Sequence, residues 1–225
     1  MKLSIIIPAY NECKRIGNTL NNYLSYKWKY PIEIIVILNG CTDNTLDVVK
    51  KFHKIKYRVL KQPSKGNALI TGFKLAKGDL IGYVDADNAT KPYVLDKLVN
   101  SIGNYDGVIG SRYVKGAVLI KKQPLIRRIL GRGFNVLVRL VLGLRFKDTQ
   151  CAGKVFRKRA IKSVVNNIIK TNWAIDVSIL YPLIKSGYKI REIGISWEDK
   201  TGSKLKVTKA IPNMLLALLK IRFNR

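Results

Sequence analysis

Two aspartates stand two residues apart in Asp85-Ala86-Asp87-Asn88, directly after the apolar run Gly78-Asp79-Leu80-Ile81-Gly82-Tyr83-Val84. Short and rich in β-forming residues, that run reads as a buried strand. Carboxylates just past the C-terminal end of such a strand leave the sheet together and enter the crevice where open α/β sheets bind ligands. Such a pair suits a hard divalent cation, which takes oxygen ligands and shares them with substrate phosphates. Taken alone, the same residues also read as a solvated turn of the Asx type.

Three further stretches could do chemistry. Ser4-Ile5-Ile6-Ile7-Pro8-Ala9-Tyr10-Asn11-Glu12 ends an apolar run in a tyrosine, which can stack on a nucleobase, and a carboxylate, which can accept ribose hydroxyls. Ile37-Leu38-Asn39-Gly40-Cys41-Thr42-Asp43-Asn44-Thr45 opens from a second apolar run into a polar turn. In Lys65-Gly66-Asn67-Ala68 a lysine and a glycine open a helix, a combination suited to phosphate.

Elements must bring these stretches together. Strands are predicted at residues 3–7, 33–38, 58–60, 80–84 and 108–109, and helices at 12–26, from Asp43 to about Phe52, at 65–76 and at 91–102. Such alternation predicts a mostly parallel sheet with right-handed crossovers, its motifs at the strand ends. The second half differs. A long helix over 123–142 is followed by a strand at 154–156, a helix at 174–185, a strand at 189–195 and an amphipathic helix at 212–223. Basic Lys220, Arg222 and Arg225 lie at the end of that last helix. Along the long helix Arg128, Arg132, Asn135 and Arg139 form a polar stripe, with Ile126, Ile129, Leu130, Phe134, Leu137 and Val141 on the other faces. Aliphatics flanked by arginines suit a helix lying at a membrane interface; an ordinary surface helix with solvated arginines is the plainer reading.

Composition narrows the classes. A chain of 225 residues, 47% hydrophobic and 25% charged, is globular and buries a full core. Forty-two Lys and Arg against 14 Asp and Glu leave 42 − 14 = +28, an excess that favours an anionic partner. Between Arg112 and Lys170 there are 16 basic residues and one acid, Asp148. Cys13, Cys41 and Cys151 lie far apart with no zinc or disulfide spacing, which fits a reducing cytosol. His53, the single histidine, stands among lysines and reads as solvated helix surface, which removes the usual general base. No signal peptide and no run of the roughly 18–20 apolar residues of a membrane span is visible. No repeat or linker divides the chain, so one domain, 1–225, is expected.

Together, the four stretches in this order resemble the inverting family 2 glycosyltransferases of the GT-A fold, a Rossmann-like α/β fold. Gly110-Ser111-Arg112-Tyr113, the Arg127-Arg128 pair with Asn135 downstream, and Asp148-Thr149-Gln150-Cys151 followed by Lys154-Val155-Phe156-Arg157 narrow this to the polyprenyl-phosphate group. Asp85 to Lys91, Trp173-Ala174-Ile175-Asp176, and Trp197 with Gly202-Ser203-Lys204 are similar to its dolichyl-phosphate β-glucosyltransferase branch. Two departures stand out. Asn39 replaces the base-contacting aspartate of many members, and the glycine usual after Cys151 is shifted to Ala152-Gly153.

The resemblance implies that residues 1–110 form a nucleotide-sugar lobe and 111–225 an acceptor and membrane-facing lobe. Pro8, Ala9, Tyr10, Asn11, Glu12, Asn39, Lys65, Gly66, Asp85, Ala86 and Asp87 would line the donor site. Asp87, with Asp85, would hold Mg²⁺ or Mn²⁺ at the diphosphate. A sugar, glucose in this branch and from a UDP donor, would pass with inversion to dolichyl or polyprenyl phosphate. A phosphate monoester is largely dianionic at neutral pH, its second pKa being about 6, and needs no base. Arg112, Arg127, Arg128 and Arg132 are the candidates to hold it, with Arg112 and Arg127 nearest the chemistry. The protein would sit peripherally on the cytoplasmic face of an anionic membrane. Other readings stay open: a mannosyl or N-acetylhexosaminyl donor, or a glycan hydroxyl as acceptor with Asp148 or Asp176 as base. A nucleic-acid binder would use the charge, but no helix-turn-helix, RNP or zinc pattern is present, so no nucleic-acid partner is expected.

Overall fold

The structure is a computed structural model that describes residues 1–121, 123–172, 174–199 and 207–223. Trp173, Gly202-Ser203-Lys204 and Arg225, singled out above, lie outside the described residues. The elements run β1 (Leu3–Ala9), α1 (Ile16–Ser25), β2 (Ile32–Asn39), α2 (Thr45–Lys50), β3 (Lys56–Leu60), α3 (Lys65–Leu75), β4 (Leu80–Tyr83) and α4 (Pro92–Asn100). Then follow β5 (Gly107–Ser111), β6 (Val118–Lys121), α5 (Leu125–Leu142), β7 (Lys154–Arg157), α6 (Lys158–Val164), α7 (Ile175–Lys185), β8 (Ile190–Gly194), β9 (Ser196–Glu198) and α8 (Val207–Phe223).

Seven strands form one sheet in the order β3-β2-β1-β4-β7-β5-β8. All neighbours are parallel except β7, which is antiparallel to both β4 and β5. β1 and β2 sit inside and are apolar on both faces, as a parallel strand covered by two helix layers must be. Side chains alternate across the sheet. Ile6 points to the layer of α3, α5, α6, α7 and α8, while Ile5 and Ile7 point to the layer of α1, α2 and α4. Each fully buried aliphatic contributes about 1.5–3 kcal/mol. The exposed edge strand β3 carries Lys56 and Arg58, which discourage further strand pairing.

Local signals set several boundaries. Ser64 caps α3 by accepting from the Asn67 amide at 3.2 Å, Pro92 opens α4, and Gly143, at φ 70°, ends α5. Three expectations are corrected. The first helix starts at Ile16 rather than residue 12, because the Glu12 and Cys13 amides are captured by Thr45 and Asp43 of the neighbouring loop. His53 lies in a turn beyond α2, not on a helix face, and it is exposed. The strand read over 189–195 is β8; just beyond it β9, which the sequence reading did not include, pairs with β6 in a separate two-stranded sheet.

The third correction concerns α5. Asn135 belongs to the buried face with Phe134, Val138 and Leu142, while Leu125, Ile126, Ile129, Val136, Leu137 and Leu140 are exposed. The polar stripe therefore turns toward the protein along part of its length, and aliphatics look outward. Among the described residues no helix is long and apolar enough to cross a membrane.

Candidate active site

β1, β2 and β4 are adjacent and parallel, so their C-terminal ends open on one edge of the sheet. The chain order reverses at β1, which places the crevice there. Two of the loops at this edge are laced together. The Asn11 side chain accepts from the Thr42 amide at 2.8 Å, the Glu12 amide donates to Thr45 Oγ1 at 2.7 Å, and the Cys13 amide donates to Asp43 Oδ2 at 3.2 Å. Asn11 adopts φ 52°, a left-handed conformation that asparagine tolerates. Asp43 is held at about 2: burial would raise its pKa, but the hydrogen bonds from Thr45 and Cys13 outweigh it.

Beside them the β4 loop presents Asp85 and Asp87. The turn is fixed from behind, Thr19 Oγ1 donating to the Ala86 carbonyl at 2.7 Å and Tyr23 to the Thr90 carbonyl at 2.8 Å. Asp87 Oδ1 accepts from the Ala89 amide at 3.0 Å, so the Asx turn foreseen for an isolated pair is present. Yet the carboxyl is not an ordinary solvated one. Burial, and then the neighbouring Asp85, push its pKa up, which marks a place short of positive charge. Asp85 is partnered by Lys65 Nζ at 2.8 Å. Lys65 stays protonated because Asp85 and Asp176 outweigh the cost of its burial.

Gly66 has a packing reason as well. A Cβ there would come within 2.6 Å of the Thr171 carbonyl, so only glycine lets residues 170–172 approach α3. In the same contact the Lys65 amide donates to Asn172 Oδ1 at 3.2 Å.

Other donor-side candidates are placed as follows. Pro8 and Ala9 are the last residues of β1, and Tyr10 beyond them is exposed. Glu12 is engaged by Arg15 through two 2.7 Å contacts. Asn39 is buried, and its Oδ1 accepts from the Ser64 amide at 2.6 Å, so it orders the approach to α3.

The acceptor-side candidates fall into two groups. Arg112 is fastened to Asp148, with Nε to Oδ2 at 2.7 Å and Nη2 to Oδ1 at 2.9 Å, while Nη1 reaches Gln123 Oε1 at 3.3 Å. Its guanidinium lies 5.4 Å from the Tyr113 ring centroid and 5.2 Å from that of Trp197; Arg132 covers the same Tyr113 ring at 4.8 Å. Arg112 and Arg132 are thus brought to one place through a shared aromatic ring. Arg127 and Arg128, in the first turn of α5, make no side-chain hydrogen bond among the described residues, and the Nε of Arg128 is buried without a partner.

Beneath the crevice lies a buried pair. Lys154 Nζ meets Asp176 Oδ1 at 2.5 Å, Tyr83 donates to the same oxygen at 2.5 Å, and Lys154 also donates to the Cys151 carbonyl. Burial would raise the Asp176 pKa, but Lys154 and Lys65 hold it down. The Cys151 thiol is pushed up to about 12 by burial, so it stays a thiol.

Residues 4–165 match the family described as Glycosyl transferase family 2. The chain belongs to glycosyl transferase family 2. Relatives extend the match beyond that segment. Dolichyl-phosphate beta-glucosyltransferase of Saccharomyces cerevisiae is 34% identical over 230 residues, covering 90% of this chain and 69% of the yeast enzyme. Glycosyltransferase AglD of Haloferax volcanii is 30% identical over 225 residues; the match takes in 95% of this chain but only 36% of AglD. The fold is that of glucosyl-3-phosphoglycerate synthase from Mycobacterium tuberculosis, solved with Mn²⁺, UDP and phosphoglyceric acid. The TM-score is 0.77 at 16% identity, over 98% of this chain and 78% of that one. This family 2 glycosyltransferase therefore has the GT-A arrangement its strand order implies.

Two contributors escaped the sequence reading. Arg15 pairs with Glu12 and lies in the field of Asp85 and Asp87; its spacing of three from Glu12 was the available signal. Glu192, on β8, holds the Asp148 loop from 44 residues away in sequence, and no local pattern points to it.

Proposed function

We propose that this glycosyltransferase moves glucose from UDP-glucose to a dolichyl or polyprenyl phosphate with inversion at the anomeric carbon. The observation that carries this reading is the state of the two carboxylates that could have served a hydroxyl acceptor. Asp148 is spent on Arg112 and Asp176 on Lys154, and a base bound to a cation is a poor proton acceptor. A phosphate acceptor removes the need, since it is its own anion. The names of the yeast enzyme and its relatives support the same acceptor.

Asp87 and Asp85 would hold a divalent cation, Mg²⁺ or Mn²⁺. The pair fits it: one carboxyl is desolvated beside another, and an added cation relieves both. Among the described residues no three His, Cys, Asp or Glu side chains converge, so the remaining ligands would come from the diphosphate and water. A cation held there by Asp87 and Asp85 would supply positive charge against the charge building on the departing diphosphate. Lys65 holds Asp85 in place and adds positive charge at the same edge. Tyr10, exposed beyond β1, would stack on the base, and Asn39 orders the loop behind it.

On the acceptor side Arg127, Arg128 and Arg132 supply the cations that let a phosphate approach an anionic donor. Arg112 keeps two uncommitted N–H groups among the described residues and joins them. The outer faces of α5 and α8, with Leu140, Leu216 and Phe223 exposed beside Lys220 and Arg222, support a peripheral seat on an anionic membrane.

The test is transfer of radiolabelled sugar into a chloroform phase, with dolichyl phosphate and Mg²⁺ or Mn²⁺ and a panel of UDP- and GDP-sugars. Label should enter the lipid from UDP-glucose and lie in a β-linkage. Labelling only from a GDP-sugar would overturn the donor, and labelling only of a glycan hydroxyl the acceptor.

A further inference from the structure

We infer that Asn135 of α5 and Glu192 of β8 are positioning residues that clamp residues 146–149, so that Asp148 holds Arg112 where the acceptor must bind. The claim rests on the proposed reading only in taking that acceptor to be a phosphate.

Residues 146–149 lie outside every helix and strand, so side chains must satisfy their backbone. Asn135 Nδ2 donates to the carbonyls of Phe146 and Lys147, both at 2.9 Å, and its Oδ1 accepts from Thr149 Oγ1 at 3.0 Å. From the other side Glu192 takes the amides of Lys147 at 2.8 Å and Asp148 at 2.7 Å, one on each carboxylate oxygen. Five hydrogen bonds from two distant elements thus fix four residues. Asp148 passes the order on, accepting from the Arg112 amide at 2.9 Å besides its two guanidinium contacts.

The chemistry of position 135 argues for this role. α5 buries Phe134, Val138 and Leu142 beside it, and an aliphatic would fill the site without any polar group to satisfy. An amide there is useful because it can donate twice and accept once. Glu192 brings a second carboxylate to the Asp148 backbone, where the Lys147 and Asp148 amides each donate to one of its oxygens while Arg112 pairs with Asp148 itself. Arg112 in turn has little freedom, held by Asp148 and stacked between Tyr113 and Trp197.

The experiment uses the full chain, UDP-glucose and a short, soluble prenyl phosphate. Asn135→Leu, Asn135→Asp and Glu192→Gln should each lower kcat/KM for the acceptor by about ten- to a hundredfold, the cost of a small misplacement. UDP affinity by calorimetry should stay at the wild-type value. Asn135→Asp keeps the volume and the acceptor for Thr149 but cannot donate, so it separates the clamp from packing. Combining Asn135→Leu with Arg112→Lys should cost no more than the worse single change, because both act through one contact.

Wild-type acceptor kinetics in Asn135→Asp and Glu192→Gln would overturn the inference; so would additive losses, or a fall in UDP affinity that tracks turnover. If Asn135→Leu does not fold, Asn135→Asp and Glu192→Gln decide. A wild-type protein that transfers nothing to prenyl phosphate would sink the acceptor assignment instead. The clamp is then read from hydrogen exchange at the Lys147 and Asp148 amides, which should quicken in Asn135→Asp and would contradict the claim by staying protected.

Discussion

At the scale of single residues, the site rests on charges held in unequal surroundings. Asp85 has Lys65, whereas Asp87 accepts from the Ala89 amide and lies beside the like-charged Asp85, with Arg15 acting on it less strongly than burial and Asp85 do. Replacing Asp87 with alanine should lower turnover on the order of 10²–10³-fold, the usual cost of losing a group that stabilises the leaving charge. Its melting temperature should barely move, since the side chain closes no part of the core; a large drop would mean that Asp87 is structural. Glu33 shows the opposite balance. Burial opposes its charge, but Lys56, Ser4 and the Lys77 amide hold its pKa near 2. A carboxyl depressed in the folded state adds stability that is complete above its unfolded value and is lost as pH falls through the folded one. Glu33→Gln should therefore cost about 1–3 kcal/mol at neutral pH. It should also flatten the pH dependence of urea midpoints between about 4.5 and 2, and an unchanged slope there would refute the assignment. Residues such as Asp85, Asp87 and Lys65 were legible in sequence because their meaning is local: a carboxylate after a strand, a lysine opening a helix. Arg15 and Glu192 were not, because their meaning lies in partners that only the fold supplies.

Among the elements, the seven strands of the main sheet and the first-half helices could be read from apolar runs and alternation, with ends off by a few residues where a neighbouring loop captured the backbone, whereas the short β6 and β9 could not. For α5 the helix could be read but not its orientation. Its periodicity defines two faces but not which one meets the protein, and the presence of arginines favours putting the polar face outward. The loop at residues 146–149 turned Asn135 inward, where its side chain donates to the carbonyls of Phe146 and Lys147. What remains outside includes, besides Arg132 and Arg139, a set of aliphatics, with Leu140 77% exposed on α5 and Leu216 56% exposed on α8. If these faces enter the headgroup region, Leu140→Glu with Leu216→Glu should weaken binding to vesicles containing anionic lipid at least about tenfold, each lost side chain being worth about 1.5–3 kcal/mol. Activity on a soluble prenyl phosphate should persist. Full vesicle binding by the double variant, measured by flotation, would place the membrane seat elsewhere.

On the scale of the whole molecule, one sheet runs from β3 to β8 through strands of both halves, and antiparallel β7 is the join. The donor carboxylates follow β4, and Arg112 follows β5 on the other side of β7. In the proposed reading this arrangement would bring two anionic substrates to strand ends on either side of β7 in a chain with a net charge of +28, an excess suited to drawing both in. The central claim is that the acceptor phosphate is its own nucleophile and that no side chain takes a proton from it. Its most direct test is the pH dependence of kcat/KM for a soluble prenyl phosphate, set beside the matching phosphonate and the prenyl alcohol. The rate should rise with the acceptor's second ionisation near about pH 6, shift upward with the less acidic phosphonate, and vanish with the alcohol. Transfer to the alcohol, or a rise that keeps its midpoint when the acceptor's acidity changes, would contradict it.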